Sequence, residues 1–186
     1  MKNLNAKRYT LSANSGFTLI EILVVIGLIA ILAAVVLIAI NPARQFAQGR
    51  NSQRTSNTNV LLNAIGQNIA DNKGLFVCAG NPIPVLASVP SPLVGTEGAE
   101  IASAGGVAPM IDIRNCLSAN YLSEMPADPK TGKIWDGTDY HTGYRAFQDN
   151  NGRITIFAPS TELTGEANAA TYTCSGSTGK LICVTR

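Results

Sequence analysis

A run of apolar residues near the N-terminus constrains this chain more than any other feature. No charged side chain lies between Glu21 and Arg44, and residues 22–40 are almost entirely Ile, Leu, Val and Ala. Residues 17–40 as one helix would extend about 36 Å, more than the roughly 30 Å hydrocarbon core of a bilayer. The chain of 186 residues is therefore predicted to combine one membrane-length helix with a soluble remainder.

The overall composition excludes several classes of protein. Charged residues make up only 14% of the chain, and 14 basic against 12 acidic residues give a formal net charge of +2. This balance, with 46% hydrophobic residues, excludes a disordered chain and a basic nucleic-acid-binding domain. One apolar run of membrane length also excludes a polytopic membrane protein.

Residues 1–16 carry Lys2, Lys7 and Arg8 and no acidic residue. A basic leader followed by an apolar run is typical of a secretory signal peptide. However, the run is longer than the usual apolar core of about 7–15 residues, and no small-x-small cleavage site follows it. A signal anchor with its basic leader in the cytoplasm is the alternative that the residues favour.

Glu21 lies near the start of the apolar run. A carboxylate at the centre of a bilayer costs on the order of 2.5–3.5 kcal/mol, and such residues are usually functional and paired. No basic residue lies within one helical turn of Glu21. The carboxylate is therefore interpreted either as lying at headgroup level or as pairing with an α-amine created by cleavage after Gly16.

The residues Gly16-Phe17-Thr18-Leu19-Ile20-Glu21, followed by the apolar run, resemble the class III signal of type IV prepilins and type II secretion pseudopilins. The resemblance is close over residues 1–45 and extends to the remainder only in general layout. It implies that a prepilin peptidase cleaves after Gly16 and N-methylates Phe17. It also implies that the apolar helix is retained as membrane anchor and filament core, where Glu21 pairs with the Phe17 ammonium of a neighbouring subunit.

Four segments are expected on this basis: a removed leader (1–16), an apolar membrane and filament-core helix (17–40), its amphipathic continuation (41–74) and a globular head (75–186). Pro42 interrupts the first helix, so a kink or local melting is expected around residues 37–42.

The continuation of the helix has two different halves. Residues 43–59 are polar, and a solvated or inter-subunit face is favoured for Arg44, Arg50 and Arg54 over nucleic-acid binding, which stays a weaker alternative. Farther along, an apolar stripe at helical spacing is expected to pack on the head, and a polar stop with glycine follows at residues 71–74. The stripe consists of Leu61, Leu62, Ile65 and Ile69.

The head is predicted to contain a small antiparallel sheet that covers this stripe, which gives an α+β, pilin-like fold. Residues 76–106 are rich in Pro, Gly, Ala and Ser and are predicted to form an irregular loop. A short helix is expected within 111–124. Strands are predicted at 144–148 and 153–158, around an Asp-Asn-Asn-Gly turn, and as a second pair at 171–174 and 181–185.

Four cysteines, all after the apolar run, predict two disulfides formed in an oxidising compartment. Of three possible connectivities, Cys174–Cys183 and Cys78–Cys116 are favoured. A metal site is disfavoured because no C-x-x-C pair exists and the chain has one histidine.

No enzyme motif is evident in the sequence, and neither a cofactor nor a metal is expected. The only histidine, His141, has no identifiable catalytic partner and is interpreted as a surface residue. Four aspartates lie in turn-rich sequence, and ordinary turn-forming roles are favoured over a calcium site because their spacing is not that of an EF-hand. These are Asp128, Asp136, Asp139 and Asp149.

Three functional hypotheses follow. The first is a structural subunit of a type IV pilus, anchored in the cytoplasmic membrane with its head outside the cytoplasm and later part of a cell-surface filament. The second is a pseudopilin of a type II secretion or DNA-uptake system, and the third a signal-anchored binding protein that does not polymerise. The expected partners are other copies of the chain in a helical filament, prepilin peptidase, the inner-membrane assembly machinery and membrane lipid.

Overall fold

The computed structural model describes residues 16–39, 41–78, 80–86, 96–118, 120–162 and 181–185. The chain divides into two compact units, Met1–Pro42 and Ala43–Arg186. Within the first unit, helix α1 (Leu19–Ala39) forms the predicted apolar helix. Every side chain from residue 16 to residue 37 is exposed.

Helix α2 (Pro42–Asp71) follows after a non-helical Asn41, so the predicted interruption of the helical run at the proline is confirmed. Proline suits the first position of a helix because its missing N–H would have no intrahelical partner there. The helix ends at the predicted polar stop, where Lys73 and Gly74 have φ values of 58° and 91°. The Gly74 N–H donates to the Ile69 carbonyl at 2.9 Å and closes the last turn.

The apolar stripe of α2 packs into the hydrophobic core, as predicted. Leu61, Leu62 and Ile65 are buried, and Ile69 packs against them while partly exposed. The same core cluster includes Tyr144 and Ile156 of the sheet. Because the three buried positions recur at helical spacing, the second half of α2 presents one continuous apolar face to the head.

The described part of the chain contains six strands in one sheet: β1 (Val85–Leu86), β2 (Ala99–Ala102), β3 (Met110–Ile111), β4 (His141–Asp149), β5 (Ile154–Ala158) and β6 (Ile182–Thr185). The order is β3-β2-β4-β5-β6, and β1 also pairs with β4. The pairs β2–β4, β4–β5 and β5–β6 are antiparallel, whereas β1–β4 and β2–β3 are parallel. The fold is α+β and pilin-like, as predicted. The sheet is mainly antiparallel, and only the short strands β1 and β3 pair in parallel, with β4 and β2 respectively.

The predicted hairpin is confirmed as β4 and β5, although β4 starts earlier, at His141. The Asp149 carboxylate accepts the N–H groups of Asn151 and Arg153 at 2.8 and 2.9 Å and so holds the turn. The last predicted strand is confirmed as β6, which pairs with β5. Its predicted neighbour, residues 171–174, lies outside the described residues.

The prediction of an irregular loop over residues 76–106 was wrong at β1 and β2. All four residues of β2 are buried, and its residues pair with β4 from Ala99↔Ala146 to Ala102↔His141. Gly98 precedes β2 with φ 65°, and a Cβ at that position would overlap the Ala146 carbonyl oxygen. Glycine thus permits a close approach to β4 that makes this segment extended.

Side chains from β4 and β2 hold both the segment before β2 and the loop between β2 and β3. The buried Arg145 guanidinium donates to the carbonyl oxygens of Thr96, Glu97, Gly98 and Val107 at 2.8–3.1 Å. The Glu100 carboxylate, opposite Arg145 in the ladder, accepts the Val107 N–H at 2.6 Å. Burial lowers the pKa of Arg145, while the charges of Glu100 and Glu97 oppose that shift. The short helix predicted after β3 is confirmed as α3 (Arg114–Leu117).

Candidate processing and assembly site

The junction, defined as residues 16–18, lies immediately before α1 and is not helical. Gly16 and Phe17 are exposed, and a Cβ added to Gly16 would meet nothing within 4 Å. Phe17 exposes 78% of its surface. The peptide bond predicted to be cleaved, Gly16–Phe17, therefore lies in open, non-helical chain in the structure.

Thr18 begins the helix as its N-cap residue. Its hydroxyl oxygen accepts the Glu21 N–H at 3.3 Å, and its carbonyl accepts the Ile22 N–H at the same distance. A side-chain acceptor at this position satisfies one of the N–H groups that have no partner in the first turn. Sequence reasoning missed this role, although Thr-x-x-Glu before an apolar run is the pattern of a capping box.

Glu21 lies at the third position of α1, where the helix dipole favours a negative charge. The Glu21 carboxylate has no hydrogen-bond or ion-pair partner among the described residues, although its backbone N–H is bound by Thr18. The structure thus brings Gly16, Phe17 and Glu21 to one end of α1. It leaves the carboxylate available for a partner from outside the described chain.

The rest of α1 is long and apolar enough to cross a membrane by length and composition. Residues Leu19–Leu37 have a mean hydropathy of 3.1, and none of this span is buried within the chain. Its large apolar side chains are between 45% and 83% exposed. An apolar helix exposed on all sides requires lipid or other apolar helices around it.

The predicted disulfide Cys78–Cys116 is present, with the two Cα atoms 5.6 Å apart. Cys78 lies in the segment after α2 and Cys116 belongs to α3, so the bond links that segment to α3 across 38 positions of sequence. Cys183 is also disulfide-bonded. The predicted pairing of Cys183 with Cys174 rests on a residue outside the described part of the chain.

The prediction of a solvated or inter-subunit face was wrong for Arg54. Arg54 is completely buried, and its Nε and NH2 groups donate to the two carboxylate oxygens of Asp128 at 2.5 and 3.2 Å. Arg50 donates to both carboxylate oxygens of Glu162 at 2.8 and 2.5 Å. Because both guanidinium groups are occupied within the head, they do not form a free basic face for nucleic acid.

These residues and Asn51 form the arginine network: Arg50, Asn51, Arg54, Asp128 and Glu162. Burial raises the pKa of the Asp128 carboxyl, but the Arg54 guanidinium and the N–H groups of Lys130 and Thr131 outweigh it, so the pKa lies below its usual value. Hydrogen bonds from Arg50, and then from Arg54, lower the pKa of Glu162 to about 2 against the effect of burial. All four charged members are therefore ionised at neutral pH.

The other aspartates singled out in the sequence have turn-forming contacts. The Asp136 carboxylate accepts the N–H groups of Thr138 and Asp139 at 2.9 and 3.1 Å. Lys133 forms ion pairs with the carboxylates of Asp136 and Asp139, and the hydrogen bond from Lys133 lowers the pKa of Asp136.

His141 begins β4 with a partly exposed side chain, and its Nδ1 lies 4.0 Å from Glu100 Oε1.

Comparison with known proteins places the functional signal at the N-terminus. The family model of the prokaryotic N-terminal methylation motif matches residues 11–37, which include the junction and most of α1. No curated protein and no solved structure matches the chain. The chain thus carries a class III signal and, with its apolar N-terminal helix and α+β fold, fits the type IV pilins and pseudopilins. The motif implies processing by a prepilin peptidase and assembly into a pilus-like system.

Proposed function

We propose that this protein is a structural subunit of a type IV pilus and has no enzymatic activity. The precursor is cleaved between Gly16 and Phe17, N-methylated on Phe17, and polymerised through α1 with its head displayed outside the cytoplasm. One observation carries the proposal: α1 is apolar and exposed on every side, with Glu21 as its only charge, directly after a non-helical junction. The match to the methylation motif supports the same conclusion.

The two environments expected for α1 explain why one helix serves as both anchor and filament core. In the cytoplasmic membrane, lipid covers its apolar side chains before assembly. In a filament, the α1 helices of other copies replace that lipid. Since no charged side chain of α1 other than Glu21 must then be desolvated, transfer from lipid to filament costs little apart from that carboxylate.

Glu21 gives this assembly its register. An unpaired carboxylate inside a bundle of apolar helices carries a desolvation penalty of several kcal/mol. Pairing with the Phe17 ammonium of an adjacent copy compensates two buried charges at once, and only at one axial stagger. A single polar pair selects one register in other helical bundles for the same reason.

Processing is tested by intact-mass analysis of the membrane-bound protein. The mature chain is expected to lack residues 1–16 and to carry one additional methyl group. Gly16→Val is expected to abolish cleavage, whereas Gly27→Val, also at a glycine with open space around it, is expected to leave cleavage intact. A mature protein that retains Met1–Gly16 would instead identify a signal-anchored protein that is not processed.

Assembly is tested with Glu21→Ala, which removes the carboxylate but keeps the backbone N–H that Thr18 binds. The variant is expected to be processed and inserted into the membrane, but electron microscopy of sheared surface material should find few or no filaments. Glu124→Ala removes a half-exposed carboxylate of the head and serves as the control. Normal filaments from Glu21→Ala alone would refute the proposed pairing.

The same microscopy separates the pilus from the alternative. Long surface filaments that contain the wild-type protein are expected for a pilus subunit. Short assemblies confined to the cell envelope would indicate a pseudopilin of a secretion or DNA-uptake system.

A further inference from the structure

The start of α1 is fixed by one side chain. The Thr18 hydroxyl accepts the Glu21 N–H, and the Thr18 carbonyl begins the ladder of main-chain hydrogen bonds by accepting from Ile22. Gly16 and Phe17 lie outside that ladder. The helix therefore begins two residues after the peptide bond Gly16–Phe17.

The position of this boundary matters for a peptidase. In a helix, the N–H and C=O groups of a peptide bond are hydrogen-bonded within the helix, and side chains project radially from its surface. Enzymes and domains that bind an extended peptide use those main-chain groups for affinity and alternate side chains for specificity. A helix that began earlier would occupy the groups around the bond that is to be cut.

We propose that Thr18 is a positioning residue for the processing of this precursor: as the N-cap of α1, its hydroxyl holds the Gly16–Phe17 bond outside the helix, in the form that the peptidase binds. The inference rests on the proposed function, since it concerns the cleavage described there. It assigns Thr18 a role through backbone geometry rather than through direct recognition of its side chain.

The cap also leaves the assembly residue free. In a complete capping box, the glutamate at the third helical position reaches back to the N–H of the capping residue. Here the Thr18 contact uses the backbone of Glu21, and the Glu21 carboxylate has no partner among the described residues. Thr18 can therefore fix the helix start without competing for the carboxylate that pairs in the filament.

The test uses four full-length precursors in detergent micelles with a purified prepilin peptidase: wild type, Thr18→Val, Thr18→Ser and Thr18→Asn. Valine has nearly the shape of threonine but no acceptor, whereas serine and asparagine differ in shape and are strong N-caps. Capping and side-chain recognition therefore predict opposite orders of reactivity. Initial cleavage rates at several substrate concentrations separate KM from kcat, and mass spectrometry measures N-methylation.

Thr18→Val is expected to raise KM by roughly 2- to 30-fold, the range that corresponds to loss of an N-cap. Without the cap, the helix begins before Thr18 in part of the precursor chains, so the Gly16–Phe17 bond lies outside the helix in fewer of them. The kcat of this variant should be unchanged. Thr18→Ser and Thr18→Asn should keep the wild-type KM, and hydrogen exchange of the Glu21 amide should be faster only in Thr18→Val.

Three results would count against the inference. Cleavage of Thr18→Val at the wild-type KM would overturn it, and so would a raised KM for Thr18→Asn with normal cleavage of Thr18→Val, which would indicate recognition of side-chain shape. If the wild-type precursor itself is not cut after Gly16, the proposed function fails and the cap loses its role in processing.

Discussion

The buried pair Arg54–Asp128 allows a sharp test of how α2 is held on the head. Both side chains are completely inaccessible, and Arg54 binds Asp128 through two nitrogens. Its NH1 group also donates to Asn51 and Glu162 at 2.9 and 3.2 Å. Arg54→Met removes the guanidinium, fills similar volume with apolar atoms and leaves the Asp128 carboxylate buried.

Removal of one partner from a buried ion pair costs about 3–5 kcal/mol, because the other charge stays uncompensated. The lower end applies here, since Asp128 keeps hydrogen bonds from the N–H groups of Lys130 and Thr131 at 2.9 and 3.0 Å. We therefore expect Arg54→Met to lower the free energy of unfolding by about 3 kcal/mol. Asp128→Asn keeps one side-chain oxygen to accept these two N–H groups and is expected to cost about 2 kcal/mol.

The double variant Arg54→Met/Asp128→Asn removes both charges together. Replacement of a buried ion pair by neutral groups leaves no uncompensated charge, so a loss of only about 2 kcal/mol is expected, against about 5 kcal/mol if the two single losses simply added. The singles and the double then define a coupling energy of about 3 kcal/mol, at the upper end for residues in contact. The pair Arg153–Asp149 provides the control: 61% of the Arg153 side chain is exposed, so Arg153→Met should change stability little.

The measurement is urea unfolding of the full chain in detergent micelles under oxidising conditions, followed by fluorescence. The single tryptophan, Trp135, lies in the head with the Arg114 guanidinium 4.4 Å from its ring centroid. Its emission therefore reports on the folded head. Losses of the two single variants that simply add in the double variant would refute the reasoning, as would a stability of Arg54→Met within about 0.5 kcal/mol of wild type.

Three further predictions concern the head and α2. Hydrogen bonds from Arg50 are the main reason that the pKa of Glu162 is lowered to about 2. The ionised Glu162 carboxylate therefore stabilises the fold above about pH 4.5, and this stabilisation is lost as the pH falls towards 2. Urea unfolding across that range should show a smaller loss of stability in Glu162→Gln than in the wild type. Replacement of Cys78 and Cys116 by serine opens a link across 38 residues and should lower the free energy of unfolding by roughly 4 kcal/mol, whereas an unchanged value would contradict a constraining role. Gly49 lies in α2 with open space around it, so Gly49→Ala should raise the free energy of unfolding of the head by about 0.5–1 kcal/mol, measured as a higher melting temperature.

The parts of the fold that sequence predicted are those with a local period. Leu61, Leu62 and Ile65 recur at helical spacing, and each is buried in the structure. The β4–β5 hairpin likewise follows from two apolar strands around a turn whose Asp149 and Gly152 adopt the expected roles. Such patterns need no knowledge of distant residues because the two faces of a helix or strand are distinguished within a few positions.

The features that sequence missed depend on contacts across long separations. The sequence predicts a solvated Arg54 because its partner, Asp128, is 74 positions away and gives no local signal. Strand β2 lies in Gly- and Ala-rich sequence and becomes extended through its pairing with β4, including the bonds made by Arg145. Of the missed features, only the Thr18 cap has a local sequence signal, the four-residue pattern Thr-x-x-Glu.

The polar character of the first half of α2 has a reason in the chain that precedes it. Apolar residues in place of Arg44, Arg50 and Arg54 would extend the uncharged run towards Leu61 and remove the signal that ends the membrane-length segment. Charged residues end that segment, but this half of α2 must also pack on the head. Arg54 meets both requirements because Asp128 and Glu162 bind its guanidinium within the head. Ion pairs therefore contribute to holding the first half of α2 on the head, and the apolar stripe holds it from Leu61 onward, where burial no longer lengthens the membrane segment.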